Sequence, residues 1–183
     1  MLPAPPPLST VFNAAKAIRL MGFDVDGVLT DGTLFFDGQG EVIKPFNAKD
    51  GHGLKMLMKA GVEVVIITAR RSAALSCRTA NLGITELHMD ISDKRACFLN
   101  LVHARGLNLN QTGFMGDDVI DLPIMSLCGF SAAPADAHPF VKTHAHYIST
   151  NPGGRAAARE VCDLILNAQG QLEAMQKAYL GQN

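Results

Sequence analysis

The sequence has almost no net charge, because 16 lysines and arginines are balanced by 17 aspartates and glutamates, giving a formal charge of -1. Proteins that bind nucleic acid or an anionic membrane by general electrostatic attraction need an excess of positive charge. Since this excess is missing, we expect the chain to act on a small molecule or to contact another protein, with no nucleic acid and no membrane as partner.

The cysteines are few, and none of them is paired in sequence. Cys77, Cys97, Cys128 and Cys162 show no CxxC spacing, which speaks against a zinc knuckle or a disulfide framework and predicts reduced, mostly buried thiols. No apolar run approaches membrane-spanning length, and residues 1–10 lack both the basic start and the apolar stretch of a signal peptide. A cytoplasmic location is therefore expected.

The chain does have enough apolar residues for one hydrophobic core. Its 183 residues are 48% hydrophobic, and this length favours a single domain. The proline-rich residues 1–10 are predicted to be a disordered N-terminal extension, and residues 11–183 to be the domain.

Short apolar runs alternate along the chain with segments that repeat apolar residues every three or four positions. The strand-like runs cover residues 20–23, 62–67, 85–88, 112–115 and 128–131, with a further candidate at 146–148. The helix-like segments cover residues 53–60, 72–82, 92–104 and 118–126. This alternation predicts the α/β class, with a Rossmann-like parallel sheet and helices on both of its faces.

One segment, residues 33–46, interrupts the alternation directly after the first strand. Two apolar arms flank the turn sequence DGQG at residues 37–40, which is a strong hairpin signal. The apolar side chains of the arms are Leu34, Phe35, Phe36, Val42 and Ile43. Such an exposed edge favours pairing with another subunit, and the alternative is a hairpin that folds onto its own domain.

Polar side chains follow four of the predicted strands. They are Asp24 and Asp26, Thr68 and Arg70, Ser92 and Lys94, and Asp117 and Asp118. Because the carboxyl ends of parallel strands meet at one edge of a sheet, where ligands bind, we expect these side chains to lie close together. Ser92 is also expected to cap the helix that follows it.

Several carboxylates at one edge need a compensating charge, since like charges a few ångströms apart raise one another's pKa. Oxygen ligands of this kind suit Mg²⁺, which binds one or two carboxylates together with water and substrate phosphate. A lysine, an arginine and a threonine hydroxyl beside such a metal favour a phosphoryl group. Each motif alone also fits a turn or a helix cap, but the four together indicate phosphoryl transfer.

Four segments, DVDGVLTDG, IITAR, SDKRA and GDDVIDLP, resemble the four motifs of the haloacid dehalogenase superfamily of phosphatases. The resemblance covers nearly the whole chain from Met21 to Gly170. The hairpin and the segments NAKDGHGLK, APADAHP and GGRAAAREVCDLILNAQG are similar to the capless branch that acts on phosphorylated keto-deoxy sugar acids. The resemblance implies the haloacid dehalogenase fold with an inserted β-hairpin flap and no cap domain.

The resemblance also implies roles for the residues at the strand ends. Asp24 would be the nucleophile that takes the phosphoryl group as an aspartyl phosphate, and Asp26 the general acid and base. Mg²⁺ would be held by Asp24, the main-chain carbonyl of Asp26 and Asp117, with Asp118 close by. The residues implied to bind the phosphoryl oxygens are Thr68 and Lys94.

The substrate implied by the resemblance is 3-deoxy-D-manno-octulosonate 8-phosphate, an eight-carbon sugar-acid ester used for lipopolysaccharide. The implied substrate contacts are Asp26, Asn47, Lys49, Asp50, Gly51, Lys55, Arg70, Arg78 and Lys94. Members of this branch are tetramers in which the hairpin closes over a neighbour's site, so a homotetramer is expected. The positions that depart from the pattern of the branch are Lys55, Ala69, Met89, Asp90 and Ala156.

Three alternatives stay open at this point. Arg155 and Arg159 either reach a carboxylate of the substrate or of a neighbour, or lie on a solvated helix face. The substrate is alternatively a nine-carbon sialic-acid-type 9-phosphate. The chain is alternatively a catalytically silent oligomeric module, although such a scaffold has no need to retain several costly polar groups together.

Overall fold

The strands form close to the apolar runs of the sequence. The computed structural model describes residues 6–181. Its strands are β1 (Leu20–Phe23), β2 (Phe35–Asp37), β3 (Gly40–Ile43), β4 (Glu63–Ile67), β5 (Glu86–His88), β6 (Thr112–Met115), β7 (Phe130–Ala133) and β8 (Tyr147–Ile148). Six of them pair in parallel in the order β5-β4-β1-β6-β7-β8, whereas β2 and β3 form a separate antiparallel hairpin. The predicted α/β class with a parallel sheet is confirmed.

Helices cover both faces of this sheet. They are α1 (Leu8–Lys16), α2 (Ala48–Lys59), α3 (Ala73–Leu82), α4 (Lys94–Ala104), α5 (Leu122–Met125), α6 (Pro139–Lys142), α7 (Ala157–Ala168) and α8 (Leu172–Tyr179), with 3₁₀ turns at Leu109–Gln111 and Val119–Asp121. Strand side chains alternate between the faces, so Met21 and Phe23 join one apolar cluster and Leu20 joins the other. The first cluster includes residues of α1, α2, α3 and α7, and the second includes residues of α4, α5 and α6.

Helix α2 begins at Ala48, earlier than the predicted start at residue 53. Gly51 and Gly53 lie inside it, and their low helix propensity hides the true start from a reading of the sequence. Close packing accounts for both glycines: a Cβ at Gly51 would collide with the guanidinium of Arg78, and one at Gly53 would lie 2.9 Å from the Cδ of Arg159.

Other boundaries also differ from the predictions. Helix α1 begins at Leu8, so residues 8–10 do not belong to a disordered extension, while residues 1–5 lie outside the described residues. Strand β7 ends at Ala133, two positions later than predicted. Helix α4 is capped by Asp93, whose side chain accepts the N–H of Ala96, and Ser92 is not the cap that the sequence suggested.

The predicted hairpin is present, and its apolar arms face solvent. Phe36 is 58% exposed and Ile43 is 59% exposed, although both are large apolar residues. The other apolar arm residues, Leu34, Phe35 and Val42, are also exposed to solvent. Leaving this much apolar side chain in water is unfavourable, which keeps the predicted pairing with another subunit as a proposal.

The cysteines are all free thiols, but only half of them are buried. Cys128 and Cys162 are buried, Cys97 is half-buried and Cys77 is exposed, so the expectation of mostly buried thiols is wrong for two of the four. Across residues 6–181 there is no helix with both the length and the apolarity to cross a bilayer. The cytoplasmic location stays a prediction.

Candidate active site

The two aspartates that follow β1 have different environments. Asp24 is 5% exposed, and its N–H donates to the carbonyl of Met115 on the neighbouring strand at 3.0 Å. Asp26 lies half-buried beyond it. The chain turns at Gly27, which has φ of +88° and lies so close to Asp117 that a Cβ would collide with its carboxylate. Glycine at this position therefore lets the β1 loop approach the loop after β6.

A buried lysine joins the first strand end to the fourth. The Nζ of Lys94, at the start of α4, lies 2.8 Å from Oδ1 of Asp24 and 2.8 Å from Oδ1 of Asp121. Asp117 completes the group, since one oxygen each of Asp24, Asp117 and Asp121 lie within 4.8 Å of one another. The expectation that these strand ends meet at one edge is therefore met.

Burial and mutual repulsion shift the protonation of this cluster. Burial, followed by the charge of Asp121, raises the pKa of Asp24 to about 7 although Lys94 opposes the shift. Burial and the charges of Asp24 and Asp121 raise the pKa of Asp117 to about 8. Burial alone would lower the pKa of Lys94, but Asp24 and Asp121 raise it. The site therefore has one positive charge, the ammonium group of Lys94, and an excess of carboxylates.

Asp117, a member of this cluster, has one carboxylate oxygen that forms no hydrogen bond with the described residues. Its Oδ1 is buried without a hydrogen-bond partner among the described residues, a state that is costly for a polar atom. Carboxylates with raised pKa values, one of which has an unpartnered oxygen, fit a divalent cation that prefers oxygen ligands. The residues present thus fit the predicted Mg²⁺.

Asp121 is a part of the site that sequence reasoning did not assign. It is fully buried, it accepts a hydrogen bond from Lys94, and its Oδ2 accepts the N–H of Asp117 at 3.2 Å. It thereby holds both the lysine and the loop in place. Asp118 instead is exposed and its Oδ1 accepts the N–H of Val119, so it lies outside the carboxylate cluster. Its predicted place near the metal stays a prediction.

A cavity of about 150 Å³, the phosphoryl cavity, opens in front of the cluster. Its lining residues are Asp24, Asp26, Thr68, Ala69, Arg70, Lys94, Asp117, Asp118 and Ile120. Thr68 is buried at the end of β4, where its Oγ1 accepts the N–H of Arg70 at 3.2 Å. Arg70 also places its Nε 3.7 Å from Oδ2 of Asp26. Together, the carboxylates and the cationic and hydroxyl donors that line this cavity suit a phosphate ester.

Lys44, at the exit of the hairpin, was not predicted from the sequence either. Its Nζ forms an ion pair with Oδ1 of Asp26 and another, at 3.0 Å, with Oε2 of Glu41. Nothing in the sequence indicates it, because a single lysine after an apolar strand is most often solvated.

The remaining predicted substrate residues lie on or near α2, away from this cavity. Asn47 caps α2 by accepting the N–H of Lys49 at 2.8 Å, and Lys49 and Lys55 are exposed. Arg78 lies over Gly51, with its Nη2 3.4 Å from the carbonyl of Asn47. Within one chain the structure does not bring these residues to the phosphoryl cavity. Their contact with a substrate stays a prediction.

Asp50 has a structural role that its prediction as a substrate contact did not include. Its buried carboxylate accepts the N–H groups of Ala156 and Arg159 at 3.1 and 2.8 Å, at the start of α7. Burial raises its pKa, while those N–H groups oppose the shift. Both oxygens are therefore engaged in holding α2 to α7.

Two of the positions that depart from the family pattern, Asp90 and Ala156, have an unusual backbone conformation. Asp90 adopts the left-handed conformation with φ of 57° and pairs with Arg71 at 2.7 Å, which offsets its charge. Ala69 needs no left-handed backbone, whereas Ala156 does, with φ of 81°. The residues Arg155 and Arg159 pair with acids of their own chain, at 3.6 Å from Asp31 and 2.8 Å from Asp163 respectively.

Comparison with known proteins gives a consistent result. A family model of haloacid dehalogenase-like hydrolases matches residues 79–156. The 3-deoxy-D-manno-octulosonate 8-phosphate phosphatase of Yersinia pestis is 45% identical over 168 residues, which cover 92% of this chain and 90% of that protein. Its crystal structure superposes with a TM-score of 0.87, covering 90% of this chain and 89% of the other.

A second solved structure includes ligands. The phosphatase of the same name from Moraxella catarrhalis was solved in complex with a magnesium ion, a phosphate ion and a KDO molecule. It is 34% identical and has a TM-score of 0.91, with 94% of this chain and 99% of the other covered.

Proposed function

Because this chain belongs to the haloacid dehalogenase-like hydrolases, and among them to the 3-deoxy-D-manno-octulosonate 8-phosphate phosphatases, we propose that it hydrolyses that ester to the free sugar acid and phosphate. The chain is an enzyme, a phosphatase. The observation that supports the reaction best is the meeting of Asp24, Lys94 and Asp117 at one wall of the phosphoryl cavity. By its resemblance to this branch, we propose that the reaction provides a precursor of lipopolysaccharide.

The first step uses Asp24 as the nucleophile. A carboxylate oxygen of Asp24 attacks phosphorus, the bond from phosphorus to the sugar oxygen breaks, and an aspartyl phosphate forms. Asp26 gives its proton to the departing sugar oxygen, which would otherwise leave as an unstable alkoxide. Lys94, together with Thr68 at the carboxyl end of β4, stabilises the negative charge on the phosphoryl oxygens.

The second step regenerates the enzyme. Asp26, now a carboxylate, takes a proton from a water molecule as its oxygen attacks phosphorus, and the bond to Asp24 breaks. Phosphate leaves, and both aspartates return to their starting protonation states. One residue thus acts as acid and then as base, which requires that its carboxyl group reach both the sugar oxygen and the water.

Mg²⁺ is the cofactor that fits this donor set. Asp24 and Asp117 would hold it through carboxylate oxygens, including the unpartnered Oδ1 of Asp117, together with the main-chain carbonyl of Asp26. The bound ion supplies positive charge that neutralises the phosphate ester and the carboxylates around it. Asp121 accepts hydrogen bonds from Lys94 and from the N–H of Asp117, and it thereby holds the loop that carries the metal ligand Asp117 in place.

The oligomeric state is a further part of the proposal. The exposed arms of the hairpin support a homotetramer in which each hairpin covers a neighbour's site. Such a neighbour would enclose the cavity that the single chain leaves open, and would bring additional side chains to the sugar. Residues such as Lys49 and Lys55 would then contact substrate from across the interface.

Turnover of two substrates tests the proposal. Phosphate release is compared for 3-deoxy-D-manno-octulosonate 8-phosphate and for a nine-carbon sialic-acid-type 9-phosphate, each with Mg²⁺ and with a chelator. The proposal expects metal-dependent release and a higher kcat/KM for the eight-carbon ester. Equal or reversed values of kcat/KM would contradict the eight-carbon ester as the preferred substrate. If neither ester released phosphate in a metal-dependent reaction, the catalytically silent module would be favoured instead.

A further inference from the structure

Lys44 is almost completely buried although it lies in an exposed hairpin. Its side chain is only 3% exposed, whereas the neighbouring Ile43 is 59% exposed. A buried ammonium group is costly unless charged partners surround it. Lys44 has two such partners, Asp26 from the β1 loop and Glu41 from its own hairpin.

Glu41 ties this pair to the rest of the domain. Its Oε1 accepts the hydroxyl of Ser72 at 2.5 Å, and Ser72 is the residue that caps α3 by accepting the N–H of Leu75. Hydrogen bonds from Ser72 and Lys44 lower the pKa of Glu41, although burial works against them. Glu41 therefore connects Lys44 to the start of α3.

The contact of Lys44 distinguishes between the two oxygens of Asp26. Lys44 donates to Oδ1, while Oδ2 lies 3.7 Å from Nε of Arg70, a residue that lines the phosphoryl cavity. Because the ammonium group of Lys44 engages Oδ1, Oδ2 is the oxygen of Asp26 that is left to contact the substrate. Rotation of the carboxyl group would break the ion pair.

We propose that Lys44 is a positioning residue for Asp26: it fixes the orientation of the carboxyl group that protonates the leaving sugar oxygen. This inference rests on the proposed function, because it needs Asp26 to act as the acid. A lysine that only fastened the hairpin to the domain would affect every substrate alike. A lysine that acts through Asp26 affects a substrate in proportion to its need for a proton.

Two esters with different leaving groups separate these roles. The sugar ester leaves as an alkoxide and needs the proton of Asp26, whereas p-nitrophenyl phosphate leaves as a stabilised phenolate and needs it little. The value of kcat/KM is measured for both with Mg²⁺, since it includes the step in which the leaving group departs. Lys44→Met removes the charge and keeps the length of the side chain.

The inference predicts that Lys44→Met lowers kcat/KM about tenfold or more for the sugar ester and at most about threefold for the aryl ester. These values assume that a misplaced carboxyl group loses only part of the rate enhancement that a general acid typically provides. In an Asp26→Asn background the same substitution should add no selective loss, since residues that act as a unit are not additive. The matched control is Lys59→Met, at the exposed end of α2, which should leave both values unchanged.

An equal loss for both esters, or no loss for either, would overturn the inference while the proposed function stands. Failure of the unaltered enzyme to hydrolyse the sugar ester would instead overturn the proposed function and this inference with it. If the Lys44→Met chain does not fold, Lys44→Gln retains a hydrogen-bond donor without the charge. The same selective loss is expected from it, with recovery in Lys44→Arg, and a uniform change in both variants would contradict the proposed role.

Discussion

The ammonium group of Lys94 lies 2.8 Å from Oδ1 of Asp24, although the two residues follow different strands of the sheet. Both are buried, so water screens the pair little. The same ammonium group binds Asp121, and it therefore offsets two carboxylates at once. This contact joins Asp24, the proposed nucleophile, to Lys94, which is expected to bind phosphoryl oxygens. Because both carboxylates are buried, the stability of the site depends on the positive charge of Lys94.

Removing that ammonium group should affect both activity and stability. Lys94→Met leaves Asp24 and Asp121 buried without their cation, a change that typically costs about 3–5 kcal/mol. Phosphate release should fall by about 10²-fold or more, because the charge on the phosphoryl group loses a donor. Steady-state kinetics and urea unfolding measure the two effects. Unchanged unfolding in Lys94→Met, with Lys59→Met as the control, would contradict the buried pair.

The carboxylate cluster predicts how stability depends on pH without metal. Native Asp24 and Asp117 keep their protons until about pH 7 and about pH 8, whereas the ordinary pKa of the group is 3.8. Between these values the native state binds more protons than the unfolded chain, so the free energy of unfolding decreases as pH rises from about 4 to 8. Thermal unfolding in a chelator should show this decrease.

Mg²⁺ should reverse the decrease, because it binds the deprotonated carboxylates and its affinity rises with pH. Asp117→Asn should weaken the pH dependence in chelator, since one of the two shifted groups is removed. Asp37→Asn, in the exposed hairpin, serves as the control and should leave it unchanged. A melting temperature in chelator that rises between pH 4 and 8 would contradict the shifts.

The backbone at Ala156 predicts a stabilising substitution. With φ of 81° and ψ of 17° it lies in the left-handed region, which costs an L-residue about 1–2 kcal/mol. Ala156→Gly should therefore raise the free energy of unfolding by about 1 kcal/mol. Ala80→Gly, at an exposed site inside α3, should lower it by a similar amount. Urea unfolding that shows both changes with the same sign would contradict the strain at Ala156.

The hairpin arms predict the behaviour of the assembly. A triple change of Phe35, Phe36 and Ile43 to serine removes exposed apolar surface, so the mass measured by light scattering should fall below that of a tetramer. The circular dichroism spectrum should stay unchanged, because these side chains do not enter the core. Leu8→Ser removes an exposed leucine elsewhere and is the control. An unchanged mass would contradict assembly through the hairpin.

Much of the site follows from one rule, that the carboxyl ends of parallel strands meet. This rule predicts the proximity of Asp24, Lys94 and Asp117 before any coordinates are known, because each follows a recognisable apolar run. The order of strands in the sheet is not needed for it. The α/β class is predicted for a similar reason, since periods of two and of about 3.6 residues alternate along the chain.

The contacts of Asp121 and Lys44 could not be predicted in this way. Asp121 lies within a 3₁₀ turn, and its buried carboxylate is paired with Lys94, the first residue of α4, which follows a different strand. Lys44 reaches Asp26 only because the hairpin folds back over the β1 loop, and a hairpin signal does not specify that direction. The start of α2 was missed because close packing against Arg78 and Arg159 outweighs the poor helix propensity of its glycines.

The most direct test of the account is phosphate release from 3-deoxy-D-manno-octulosonate 8-phosphate by Asp24→Asn in the presence of Mg²⁺. The substitution removes the nucleophile but keeps the size of the side chain, so kcat should fall by about 10³-fold or more while the circular dichroism spectrum stays unchanged. Lys59→Met, at the exposed end of α2, is the control and should keep full turnover. Turnover by Asp24→Asn within about tenfold of the unaltered enzyme would contradict attack by Asp24.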